Sequence, residues 1–107
     1  MAFIQVITTT GTKEQAEAIA RRLVEDKLAA CVQIAGGIES IYSWQGKIER
    51  SREYLCLIKT RADRFTRVAE VIKTLHSYEV PEIIAVPIIN GDREYMTWLT
   101  DTLAGEP

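Results

Sequence analysis

The side chains with the greatest capacity for chemistry lie in the second half of the chain, around a proline turn. His76 follows a predicted helix, Tyr78 and Glu82 flank Pro81, and Lys59 ends an apolar strand. An imidazole, a phenol, a carboxylate and an ammonium group in one cleft would suit a small anionic ligand or a weakly bound metal ion. We therefore predict a ligand cleft that includes all four of these polar residues.

Two cysteines, Cys31 and Cys56, supply the thiols. Two cysteines do not make a disulfide framework. A hairpin register in which opposed residue numbers sum to 91 places Cys56 opposite Ala35, too far from Cys31 for a bond. A bulge at the glycines of positions 36–37 would shift this register. The simplest interpretation is two small buried hydrophobes, and Cys31 is retained as a candidate of the ligand cleft.

The sequence lacks the usual motifs for catalysis and for RNA binding. The chain has no glycine-rich phosphate loop and no Gly-x-Ser-x-Gly, and no motif pairs its single histidine with a nucleophile. The third predicted strand offers one tyrosine, whereas RNA-recognition sheets use several aromatic residues. The formal net charge of −2 differs from the net positive charge that is typical of nucleic-acid-binding proteins. We predict a protein that is not an enzyme and does not bind nucleic acid.

The composition is typical of one soluble globular domain that spans residues 1–107, with 47% hydrophobic and 26% charged residues. No apolar run approaches the ~20 residues of a membrane helix. The first ten residues lack the basic and long apolar regions of a signal peptide. We expect a cytoplasmic protein with no membrane partner.

One long β-hairpin over residues 37–60 dominates the predicted structure. Gln45-Gly46 forms its turn, with glycine in the second position, where a positive φ costs little. This register places Glu39 opposite Arg52, a favourable charge pair. The arms are longer than the usual ~5–6 residues of a strand. The outer half of the hairpin therefore needs a partner, which in a short chain is another copy of the chain.

Hydrophobic periodicity places the other elements. Thr12 and Gln15 form a predicted capping box, Asp63 is a predicted cap, and Pro87 marks an edge strand or a bulge. The predicted elements are a strand over 3–9, a helix ending near 26, a strand over 28–34 that bends at 36–37 into the hairpin, a helix from about 63 to 76, a strand over 82–89 and a short helix marked by Tyr95, Trp98, Leu99 and Thr102.

This order of elements is that of the α+β ferredoxin-like, split βαβ sandwich, with a long β-hairpin and an extra C-terminal helix. Right-handed crossovers place the first and third strands in the centre of the sheet and the second and fourth at its edges. Two open edges and an overlong hairpin are a liability in a monomer. Pairing of edges between subunits would remove this liability.

Five segments spread over the chain form a recognisable set: LAACVQI, SIYSWQGKIE, LIKT, HSYEVPEIIAVPI and GDREYMTWL. Taken together, they resemble the CutA family of divalent-ion tolerance proteins over nearly the whole chain. The resemblance implies a ferredoxin-like fold, a tight homotrimer built by inter-subunit strand pairing, a cytoplasmic location and a link to copper and heavy-metal tolerance. The family also resembles the PII signalling proteins, trimers of related architecture that sense small ligands.

The resemblance also implies a set of metal-binding residues, and only part of this set is present in this chain. The family pattern has a cysteine near the end of the first strand, where this chain has Thr8, and a histidine pair where it has Leu75-His76. Of this family set, only His76 is present in this chain. The resemblance implies that it binds copper or another divalent cation weakly. Glu79 or Glu82 would complete the site. Two other interpretations of His76 stay open: contact with the last carbonyls of its helix, or a role in a shared polar cleft.

Three aromatic residues are candidates for the trimer interface: Tyr42 and Trp44 on the hairpin, and Trp98 on the last helix. The predicted function is divalent-cation (copper) tolerance by binding within a homotrimer. The alternative is a PII-like trimeric sensor that binds a small metabolite at the subunit interface.

Overall fold

A computed structural model describes residues 2–106 as one antiparallel sheet with three α-helices. The sheet contains every predicted strand, and its order is β2-β3-β1-β4. The elements are β1 (Phe3–Thr10), α1 (Lys13–Glu25), β2 (Cys31–Trp44), β3 (Lys47–Arg61), a 3₁₀ turn (Ala62–Arg64), α2 (Phe65–Leu75), β4 (Ile84–Pro87) and α3 (Arg93–Thr102). The predicted split βαβ order, with β1 and β3 in the centre, is confirmed.

The hairpin of β2 and β3 is longer than any other part of the sheet. Its turn is the predicted pair, with φ of 50° at Gln45 and 78° at Gly46, the positive values that a two-residue hairpin turn needs. Glu39 lies opposite Arg52 as predicted, but its ion pair is made diagonally with Arg50 at 3.4 Å. The hairpin makes the molecule elongated, with extents of 44 × 26 × 21 Å.

A bulge between Gly36 and Ile38 divides the hairpin, as its two glycines suggested. The bulge corrects one predicted pairing, because Cys56 lies opposite Ile34 and not opposite Ala35. One extra residue in β2 shifts the register by one on the core side of the bulge. Glycine is needed there, since a Cβ on Gly36 would overlap the ring of Tyr54.

Helices α1 and α2 cover one face of the sheet. The core between these helices and the sheet is apolar and consists of Val6, Ala16, Ile19, Leu23, Leu28, Ala29, Cys56, Ile58, Val68 and Ile72. α3 covers only the beginning of the other face, where Leu99 and Leu103 pack against Phe3 and Ala30. None of the helices between residues 2 and 106 is long and apolar enough to cross a membrane.

The rest of the second face, which we call the open face, is uncovered, and its centre is apolar. Ile7 lies directly opposite Leu57 on one side and Ile84 on the other, so these three side chains point the same way. Ile84 is 50% exposed and Val86 is 40% exposed. An apolar sheet face of this kind is characteristic of a surface that is covered by a partner.

Two helix caps differ from the prediction. Thr12 accepts a hydrogen bond from the Gln15 amide at 3.1 Å, as predicted, but the Gln15 side chain donates to the Leu75 carbonyl instead of closing a capping box. Asp63 does not cap α2, because its carboxylate is held by Arg61 at 2.6 Å. Gln15 is thus taken by a tertiary partner 60 positions away, and Asp63 by a neighbour two positions away.

The last strand is shorter than the predicted range 82–89. β4 comprises only Ile84–Pro87 and pairs with β1 alone, which confirms its edge position. Pro87 has no N–H to donate, so the regular ladder ends there. The amide of Ile88 makes one further bond to the Phe3 carbonyl at 3.0 Å.

Candidate functional site

A cavity of about 600 Å³ lies where β1 ends and the hairpin continues beyond it. We call it the hairpin cleft. One wall comes from the hairpin and the other from the segment between α2 and β4. Its lining residues are Thr9, Ser40, Ile41, Tyr42, Trp44, Glu53, Tyr78, Glu79, Val80 and Glu82. Among residues 2–106, the cleft is thus lined by three carboxylates and three large aromatic rings, and by no lysine, arginine or histidine.

Glu53 is the most buried acid of the cleft, with 6% of its surface exposed. It lies on β3 opposite Ile38, directly after the bulge. The hydroxyl of Tyr78 donates to its Oε2 at 2.9 Å. Burial and this bond to a carboxylate raise the pKa of Tyr78 to about 12. The phenol is therefore a permanent donor at neutral pH, and it fixes one of the two carboxylate oxygens.

His76 lies behind Tyr78 and has both ring nitrogens engaged. Its Nδ1 accepts from the Tyr78 amide at 3.0 Å, and its Nε2 lies 2.6 Å from the Thr9 carbonyl. Because an amide only donates and a carbonyl only accepts, the ring proton is on Nε2. The ring does not contact the last carbonyls of its own helix. It holds the 76–78 segment against the end of β1.

The predicted site residues divide into two groups. Tyr78 and Glu82 line the hairpin cleft, and His76 is in contact with Tyr78, their ring centroids 4.6 Å apart. The structure corrects the rest of the predicted grouping. Cys31 and Lys59 lie opposite one another, about 20 Å along β3 from Glu53 at the ~3.3 Å rise of a strand. They are too distant to share a ligand with the cleft.

Lys59 is on the open face, where its Nζ donates to Gln33 Oε1 across the strands.

The interface candidates are all partly exposed in the single chain. Tyr42 and Trp44 line the hairpin cleft and are 42% and 43% exposed. Trp98 is 45% exposed and lies beside Tyr95 on α3, with ring centroids 5.6 Å apart. Their role in an interface stays a prediction.

Glu53 was missed by the sequence analysis, although a signal was present. It directly precedes the apolar run Tyr-Leu-Cys-Leu-Ile of β3, and alternation along a strand puts it on the same face as Leu55 and Leu57. An acid at the end of an apolar strand face marks the point where that face changes from apolar to polar. Glu79 was predicted only as a metal ligand, not as part of a larger cavity.

The two thiols are free, as predicted, and differ in accessibility. Burial raises the pKa of Cys56 to about 11, so its thiolate fraction at neutral pH is very small. We expect Cys56 to resist alkylation in the folded protein and to react fully after denaturation. A Cys31→Ser variant isolates the signal of Cys56. Reaction of the folded variant at the denatured rate would contradict the buried position.

The donors for a metal ion do not form a closed set. Within residues 2–106 no three histidine, cysteine, aspartate or glutamate side chains are arranged to hold a metal ion. Copper prefers sulfur or imidazole ligands, but Cys56 is in the core and the His76 nitrogens are in use. The residues of one chain fit, at best, a weak site made of carboxylate oxygens.

The sequence matches a family model described as CutA1 divalent ion tolerance protein over residues 4–102. A divalent-cation tolerance protein CutA of Thermus thermophilus is 48% identical over 96 residues, covering 90% of this chain and 93% of the relative. A chloroplastic CutA 1 protein of rice is 42% identical over 92% of this chain, which spans only 56% of that relative.

Solved structures agree with these relatives. A CutA1 structure from the psychrotrophic bacterium Shewanella superposes with a TM-score of 0.92 at 41% identity, covering 96% of each chain. A structure from Archaeoglobus fulgidus, described as a periplasmic divalent cation tolerance protein CutA, has a TM-score of 0.91 at 42% identity and covers 94% of this chain and 98% of its own.

Proposed function

The chain belongs to the CutA1 family of divalent ion tolerance proteins, and we propose that it contributes to divalent-cation tolerance as a homotrimer. In this proposal it acts by binding rather than by catalysis, and its place of action is the cytoplasm. The observation that carries the proposal is the long hairpin that extends beyond β1, together with the uncovered open face.

A cyclic assembly accounts for both features. Strands β2 and β4 form the two edges of the sheet, and an unpaired edge invites pairing with another chain. When one edge meets the other edge of the next copy, a closed ring leaves no edge free. The ring also brings the open faces together and buries Ile84 and Val86. The number of three subunits rests on the family resemblance.

The first test of this proposal is the mass in solution. We expect light scattering coupled to size exclusion to give three times the mass of one chain at micromolar concentration, because an interface of strand pairing and apolar surface dissociates slowly. A variant with Leu57→Glu places a charge in the middle of the open face and should give smaller species. A monomer mass for the wild-type chain would contradict the proposal.

Divalent-cation binding is proposed as weak and made mainly of oxygen ligands. Glu79 and Glu82 are exposed in the cleft and free to move toward an ion. His76 would contribute Nδ1 only by releasing the Tyr78 amide, which costs part of the binding energy. Such a site would bind copper or zinc transiently, and the bound ion would be lost during dialysis.

Calorimetry tests this part of the proposal. We expect Cu²⁺ to bind the wild-type protein weakly, and more weakly still after His76→Ala. Ser77→Ala is the matched control, since it alters the neighbouring exposed residue and leaves the imidazole intact. Tight binding that survives dialysis, or equal binding by the His76 variant, would show that His76 and the cleft carboxylates do not form the site.

A second function, a sensor of a small metabolite, is favoured by the cleft itself. Its volume of about 600 Å³ lies within the range of ~300–1,000 Å³ that is usual for small-molecule sites. A metal ion needs only a few oxygen atoms, whereas this cavity presents three aromatic walls. We propose this as the alternative to direct metal handling, with the ligand bound where the hairpin of one subunit meets its neighbour.

A further inference from the structure

The hairpin cleft contains a carboxylate that is buried and incompletely paired. Glu53 is 6% exposed, and its only hydrogen bond within the described residues 2–106 is the one from Tyr78 to Oε2. Its second oxygen, Oε1, accepts no hydrogen bond from that part of the chain. It is not fully enclosed, since the fully buried side-chain atom without a partner in residues 2–106 is Thr8 Oγ1. Largely buried carboxylates are normally paired with a cation or with several donors. Oε1 is therefore accessible from the cavity that Glu53 lines.

The cleft cannot supply the missing charge itself. Within the described residues 2–106, its lining includes two more acids, Glu79 and Glu82, and no basic side chain. In the same part of the chain, one ion pair joins the two arms of the hairpin, Glu39 with Arg50, and it lies outside the lining. A positive charge that complements Glu53 would therefore come from a bound group.

The walls of the cleft distinguish an organic cation from a metal ion. Tyr42 and Trp44 present about two fifths of their surface to solvent, and Tyr78 forms the floor beside Glu53. Aromatic faces attract ammonium and guanidinium groups, most strongly at sites away from water. They offer nothing to a hydrated metal ion, which needs oxygen ligands in a defined geometry.

We propose that the hairpin cleft binds an organic cation, a primary ammonium or guanidinium group, with its charge at Glu53 and its carbon chain against Tyr42 and Trp44. The phenol of Tyr78 holds one carboxylate oxygen in place, and the cation takes the other. This inference rests on the small-ligand function proposed above and names its chemical class. The cation is either a free small molecule or a lysine or arginine side chain of a second copy.

Titration with simple probes tests this proposal. The probes are butylamine, butylguanidine, butyrate and butanol. Their binding is measured by calorimetry and by the melting temperature at fixed protein concentration. We expect the two cations to bind and to raise the melting temperature, and the anion and the alcohol to do neither. Glu53→Gln keeps an acceptor for Tyr78 but removes the charge, and should weaken cation binding by at least about tenfold, the loss of one charged hydrogen bond.

Glu49→Gln is the matched control, because it removes an exposed acid from the same strand outside the cleft. Cation binding should be unchanged in it. If no probe binds, and Glu53→Gln alone among the two variants lowers the mass or the melting temperature, the cation is a side chain of a second copy.

Three outcomes would overturn the proposal. The first is binding of butyrate in place of the cations, which leaves a small-ligand function standing but with the opposite charge. The second is the absence of probe binding together with an unchanged mass and melting temperature for Glu53→Gln. The third is Cu²⁺ binding that is lost in Glu53→Gln without binding of any amine, which would replace the organic cation by a metal ion.

Discussion

Replacing Arg64 with leucine is expected to lower the free energy of unfolding by about 3 kcal/mol, from the loss of several charged hydrogen bonds. Arg64 is 5% exposed. Its Nη1 donates to the Lys27 carbonyl at 2.5 Å, and its Nη2 donates to the carbonyls of Leu103 and Gly105 at 2.6 and 2.7 Å. One guanidinium therefore ties the end of α1 to the end of α3.

The loss should appear as a melting temperature lower by roughly 12–24 °C, given ~4–8 °C per kcal/mol for a domain of this size. Arg67→Leu, an exposed arginine on the first turn of α2, is the matched control and should change little. Arg64→Lys should recover part of the loss, because an ammonium reaches fewer of the carbonyls. A wild-type melting temperature for Arg64→Leu would mean that water satisfies these carbonyls equally well.

Trp44→Ala is expected to have an effect of similar size, through assembly rather than through the single chain. Trp44 is 43% exposed at the end of the hairpin. If a neighbouring copy covers it, truncation should cost ~3–5 kcal/mol, the usual loss for a buried tryptophan. A solvent-exposed position would cost within about 0.5 kcal/mol.

The measurement is the melting temperature and the mass, both at one fixed protein concentration, because assembly makes stability depend on concentration. Lys47→Ala is the control, since Lys47 lies opposite Trp44 on the same exposed end of the hairpin. An unchanged melting temperature for Trp44→Ala would place its ring in solvent and remove it from the interface.

Much of the fold follows from local sequence signals. The glycine after Gln45 specifies the hairpin turn, and Pro87 indicates an edge strand or a bulge, of which the structure shows the edge strand. The helices follow from apolar residues at helical spacing, such as Val68 and Ile72, which are both fully buried. These features depend on residues that are close together in the chain.

The candidate site was less predictable, because it depends on distant residues. Tyr78 and Glu53 are 25 positions apart and meet only after β3 and α2 have packed. The single extra residue at Gly37 determines which side chains of β2 face Cys56, and its position within the two glycines was not specified by the pattern. Lys59 was assigned to the cleft because the sequence does not show how far along the strand the cleft lies.

The connectivity of the sheet has a consequence for the kinetics of folding. The hairpin arms are joined by two residues, so their pairing requires little loop-closure entropy, and hairpins of this kind form in ~1–10 μs. The partners Phe3 and Arg61 of β1 and β3 are 58 positions apart, 61 minus 3, and contacts of that separation form later. The first strand of the chain is thus expected to be among the last to enter the sheet. Until it does, the central strand β3 exposes a free edge to other chains, and β4 has no strand to pair with.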